Sequence, residues 1–163
     1  MDVHVIESSA YRRLREHGLC ERGMIPNFLG TMRKFDPSPC QPHLRRFLED
    51  KYPPSAIFLE FIPGLETIRL HNCTEKRMDN FLSTIQEIHK AHILHNDPFP
   101  RNMKVVKDDP ERVVWLDFDR AEIYDENQLD EWETKLLEEE RAIVADFHRF
   151  LVCQSHFDFT YRA

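Results

Sequence analysis

The sequence predicts an α+β fold, mainly α, and three observations predict it. Apolar residues recur at three-four spacing over 76–92 and again from Asn127 to about Leu151, the signature of helices with one buried face. Short apolar, partly β-branched runs at 56–62, 103–106 and 112–116 are bounded by turn residues and read as strands. At 163 residues the chain fits one domain with room for a sizeable core.

Taken in order, ESSAYRRLREH (7–17) reads as a short charged helix, with Ser8 or Ser9 as its cap and Gly18 at its end. IPNFLGTM (25–32) looks like a turn leading into a strand, which Gly30 weakens. Five prolines between 36 and 54 favour an irregular connection, with a short helix at 43–50. AIFLEFI (56–62) is a buried strand closed by Pro63-Gly64. In the helix at 76–92, Met78, Phe81, Leu82, Ile85 and Ile88 form the buried face. The prolines of HILHNDPFPRNM (92–103) end it. MKVV and RVVWL then form a hairpin around the polar turn KDDPE (107–111), with Asp117-Phe118-Asp119 at its exit. In the last helix Glu138, Glu139 and Glu140 read as a solvated surface.

The net charge of -7 argues against general binding to nucleic acid or to an anionic membrane. No apolar run approaches the length of a bilayer span, and the N-terminus lacks the pattern of a secretory signal. Cys20, Cys40, Cys73 and Cys153 are far apart, so neither a zinc knuckle nor a disulfide framework is indicated. The expectation is a cytoplasmic or nuclear protein with reduced thiols.

Two loops, HNDPFPRN and DFD, flank one hairpin, so folding brings Asp97, Asn102 and Asp117 to the same end of it. Two carboxylates and an amide oxygen are hard donors that suit Mg²⁺, which keeps water and phosphate oxygens as its other ligands.

Here the sequence resembles the catalytic lobe of protein-kinase-like phosphotransferases. His95, Asp97 and Asn102 match the spacing of the kinase catalytic loop, and Asp117-Phe118-Asp119 is similar to the DFG triplet. HNDPFPRNM and VVWLDFDRA look most like the small kinase-like proteins of filamentous fungi and the aminoglycoside-phosphotransferase branch. The resemblance implies one kinase-like domain, with residues 1–62 as a small-lobe remnant and hinge and 63–163 as the large lobe. It makes Asp97 the catalytic base or substrate-orienting group, braced by His95. Asn102 and Asp117 would hold Mg²⁺ with the phosphates of ATP. Adenine would meet backbone near Glu60 and Phe61, and Glu7 takes the place of the helix glutamate that pairs with the nucleotide-binding lysine. Arg101 and Arg120, beside the phosphate site, are candidate anion contacts.

The departures are as specific. The glycines, at 18, 23, 30 and 64, cannot make a GxGxxG loop, and no strand bearing a lysine precedes Glu7. DFG has become DFD, and Phe99 stands where many protein kinases have a basic residue.

Simpler readings compete. Asp97, Asn102 and Asp117 are also residue types that cap helices and shape turns. His89, His92 and His95 have a zinc-like spacing, but the prolines oppose a continuous helix through them. Cys153 and His156 have no carboxylate placed to orient them as a nucleophilic pair. Three function classes result. One is a metal-dependent phosphotransferase or its nucleotide-binding remnant. Another is a pseudokinase-like binding or regulatory module, capturing a protein partner or a second copy across the truncated small lobe. The third is a cleft reused for acid–base chemistry on a small molecule, with Asp97, His95 or Asp117 as general acid or base, as in a biosynthetic enzyme.

Overall fold

The computed structural model describes residues 2–160, and side chains through Val152. Among these residues the fold is α+β: three α-helices and three small antiparallel sheets. The Cys153 and His156 side chains lie outside the described residues.

Helix α1 (Val3–Glu16) begins four residues earlier than the sequence suggests, because Asp2, not Ser8 or Ser9, is its cap. The Asp2 carboxylate accepts the His4 amide at 3.1 Å. The β-branched start Val3-His4-Val5-Ile6 hides this helix from a propensity reading. Gly18, at φ +74°, turns the chain out of the helix as expected. Strand β1 (Phe28–Met32) pairs with β2 (Ala56–Leu59), and a bulge between Phe28 and Gly30 absorbs the strand-weakening glycine. β2 ends at Leu59, so Glu60, Phe61 and Ile62 form an extended connection, not strand. The proline-rich excursion between β1 and β2 contains only short 3-10 turns, one at Arg45–Phe47 where a helix was predicted.

The hairpin is present, with a tighter turn. β5 (Met103–Val106) and β6 (Asp109–Trp115) are joined through Lys107 and Asp108. A further strand, β3 (Leu65–Thr67), adds to the free edge of β5, giving the order β3-β5-β6. The sheet has two apolar faces. Met103, Val105, Val113 and Trp115 enter the main core, with Tyr11, Phe81, Ile85, Ile88 and Phe118. The opposite face carries Val106, Val114, Leu65 and Leu116, packed with Ile62.

Helix α2 (Glu75–Lys90) is capped by Thr74, whose hydroxyl accepts the Arg77 amide. It buries Met78, Phe81, Ile85 and Ile88 as predicted, with Leu82 at the margin. It stops because His92 adopts φ +57°. Two short strands, β4 (Ile93–Leu94) and β7 (Glu122–Ile123), then pair antiparallel. They tie the start of the HNDPFPRN loop to the exit of the DFD segment. Helix α3 (Glu131–Thr160) packs along α2.

Candidate functional site

The loop after β4 is fixed from three sides. The His95 imidazole is fully buried against Trp115 and Phe118, with ring centroids 5.2 and 4.6 Å away. Its Nε2 lies 3.0 Å from the Leu116 carbonyl, which can only accept, so the proton sits on Nε2. Burial lowers the His95 pKa, and the ring is therefore neutral near pH 7. Nδ1 is buried and without a partner among the described residues. This geometry makes His95 a brace between the loop and the DFD segment.

Glu140 supplies the second restraint. It is 4% exposed, and its carboxylate accepts the amides of His95 at 3.0 Å and Asn96 at 2.6 Å. His89 Nε2 donates to the same carboxylate at 2.7 Å. This overturns the reading of Glu138, Glu139 and Glu140 as one solvated surface: Glu138 and Glu139 are exposed, Glu140 is not. The helical register explains it, since Leu137, Glu140 and Val144 share a buried face. An acid on that face requires buried donors, and that was the available signal.

The third restraint lies within the loop. Asn102 Nδ2 donates to the Asp97 carbonyl at 3.0 Å and to Asp97 Oδ2 at 2.7 Å. The Leu116 amide donates to the Asn102 carbonyl at 3.1 Å, fastening the loop to the end of β6. Asp97 is 3% exposed and forms a two-pronged ion pair with Arg101, whose guanidinium reaches both carboxylate oxygens. Arg101, expected to meet an external anion, thus meets the candidate catalytic carboxylate. Arg120 is exposed and forms no hydrogen bond or ion pair among the described residues.

Asp117 closes the group. It is exposed and adopts φ +67°, a left-handed conformation that Asp tolerates better than most residues. Partial desolvation first, then the charges of Asp119 and Asp97, raise its pKa. Asp119 is not among the left-handed residues, so this conformation does not require glycine there. Glu7 joins from α1. Partial burial, then Asp117 and Asp119, push its pKa up to about 7. One turn further along α1, Tyr11 packs edge-on against Phe118 at 5.1 Å, which sets the helix over the DFD segment.

The sequence-predicted residues Asp97, Asn102 and Asp117 are therefore brought together, with Glu7 and Asp119 beside them. Mutual repulsion among these carboxylates is what a cation relieves. The Asn102 side chain spends its amide hydrogens on Asp97, so its carboxamide oxygen is the atom left for a ligand. Among the described residues no three His, Cys, Asp or Glu side chains converge as a metal cage. The donor set fits a Mg²⁺ ion held by one carboxylate and one amide oxygen with outside ligands, not a tightly chelated ion. The three histidines of the zinc-like spacing part company: His89 bonds Glu140, His92 bonds the Asp125 carbonyl and His95 the Leu116 carbonyl.

Beside this group an open cleft of about 610 Å³ is lined by Leu59, Glu60, Phe61, Ile62, Leu65 and Leu116, among others. Glu60 and Phe61, the expected nucleotide contacts, lie on its wall. The Glu60 amide is already used by the Asn27 carbonyl at 2.9 Å, and the Glu60 carboxylate accepts the Asn27 amide and side chain. Phe61 is 87% exposed, and its amide is without a partner among the described residues. A large aromatic in that position is available to cover a flat ligand. No family model matches the chain, and no curated protein matches it.

Proposed function

We propose that this cleft is a kinase-like nucleotide site, and that the chain is a phosphotransferase or the nucleotide-binding remnant of one. The observation that carries the reading is the meeting of Asp97, Asn102 and Asp117 at the end of the β5–β6 hairpin, next to an apolar cleft walled by residues 59–62. In this reading the lobes are residues 1–62 and 63–163. The base of ATP lies between Phe61 and the apolar sheet face, hydrogen-bonded to the Phe61 amide. Asn102 and Asp117 hold Mg²⁺ with the phosphate oxygens. The ion supplies charge neutralisation of the phosphates when bound. Asp97 orients the acceptor hydroxyl and takes its proton. His95, neutral and buried, holds the loop to Leu116 and takes no part in proton transfer.

One observation favours a second reading, a binding or regulatory module. Asp97 is neutralised by Arg101 and bonded by Asn102, so its carboxylate is committed inside the protein. Single-turnover incubation with Mg²⁺-ATP, followed by ³¹P NMR, separates the two. Active transfer or hydrolysis gives ADP at a rate that falls at least a hundredfold in Asp97→Asn. Nucleotide binding without ADP formation, unchanged in Asp97→Asn, selects the nucleotide-binding remnant, and capture of a protein partner that survives Asp97→Asn selects the module. Absence of nucleotide binding contradicts both forms of the nucleotide site.

A further inference from the structure

The apolar face of the β3-β5-β6 sheet carries Lys104, a charged residue that the site described above does not use. Lys104 lies opposite Thr67 on β3 and Val114 on β6. By strand alternation it shares its face with Val106, Val114, Leu65 and Leu116, whereas Met103 and Val105 point into the main core. Leu65 and Leu116 also line the cleft. The other lysines among the described residues are exposed, but Lys104 is half-buried. Its Nζ donates to the neutral Thr67 hydroxyl at 2.7 Å, and it forms no ion pair among the described residues. Partial burial lowers the Lys104 pKa, and the negative charge of Asp117 partly opposes that shift.

A half-buried ammonium held only by a neutral oxygen has no carboxylate to balance its charge, which favours an anionic ligand. We propose that Lys104, on the sheet face that also presents Leu65 and Leu116 to the cleft, is the cation that holds the phosphate chain of the cleft's ligand. It does from the floor of the site what a lysine on a preceding strand does from the roof in kinases. Thr67 positions it by accepting one of its three N–H donors, leaving two for phosphate oxygens. The inference deepens the nucleotide reading and rests on it for the base, but the anion subsite is separately measurable.

The test titrates pyrophosphate, ADP and adenosine, each with Mg²⁺, into the wild-type chain, Lys104→Met and Lys104→Arg. Thermal melts establish that each variant folds. Lys104→Met is expected to weaken pyrophosphate and ADP at least tenfold while leaving adenosine unchanged, and Lys104→Arg is expected to restore part of the loss. Equal pyrophosphate affinity in wild type and Lys104→Met overturns the proposal. So does a wild-type chain that binds neither pyrophosphate nor ADP at 10 mM, a ceiling of about -2.7 kcal/mol of binding. Failure of the nucleotide reading looks different: adenosine does not bind and ADP binds no better than pyrophosphate, while the dependence on Lys104 remains.

Discussion

A carboxylate that accepts three hydrogen bonds inside a protein, as Glu140 does from His89, His95 and Asn96, is expensive to remove. Glu140→Ala leaves the buried His95 amide and the part-buried Asn96 amide unpaired and is expected to cost about 3 kcal/mol. For a chain of this size that lowers Tm by roughly 6–12 °C, readable by calorimetry. Arg101 is a different case. Its guanidinium is largely exposed but the Asp97 carboxylate it pairs is buried, so Arg101→Ala is expected to cost about 3 kcal/mol by leaving that charge unpaired. It should nevertheless free Asp97, and any ADP formation in the single-turnover assay is expected to rise. Glu7 supplies a pH signature. Its folded-state pKa, about 7, lies above the ordinary carboxylate value of 4.5. The folded chain thus holds a proton that the unfolded chain has lost, and stability falls as pH rises through this window. Glu7→Gln is expected to flatten the slope of stability against pH between about 4.5 and 7, measured by urea unfolding.

At the scale of elements, the site is positioned by short pairings, not by long ones. β4 and β7 have two residues each, yet they join the Asp97 loop to the DFD exit, and the Tyr124 amide extends the link to the His92 carbonyl at 2.8 Å. Helix α1 adds Tyr11 against Phe28 and Phe118. Tyr11→Ala is expected to cost about 3–5 kcal/mol and to loosen α1 from the DFD segment. Hydrogen exchange is expected to quicken selectively over residues 117–124; uniform quickening would show instead that α1 and this segment open only with the whole chain. These pairings also mark what was legible in the sequence. The face of α2 and the β5–β6 hairpin were readable because their apolar periods are unbroken over several residues. β3, β4 and β7 were not, since two or three residues carry no period and pair only through tertiary contact. The true start of α1 was hidden by β-branched residues and revealed only by the Asp2 cap.

Across the whole molecule, one core running from Ala10 to Leu151 supports a polar group at one end of a hairpin and an open apolar cleft beside it. The convergence of Asp97, Asn102 and Asp117 was legible because a hairpin must bring its two flanks together. Their internal commitments were not. Arg101 lies four residues from Asp97, a spacing that serves equally an ion pair or an outward cation, and only the 3-10 turn at Pro100–Asn102 decides between them. Lys104 went unnoticed because one lysine in a strand looks like solvent-facing alternation until a third strand covers its neighbours. In the function proposed, this cleft binds a nucleotide through a metal held at Asn102 and Asp117. The most direct measurement is calorimetric titration of ATP, with and without Mg²⁺, into the wild-type chain and Asp117→Ala. Binding that requires Mg²⁺ and disappears in Asp117→Ala is the expected result. No heat at millimolar ATP, or binding indifferent to both Mg²⁺ and Asp117, would contradict it.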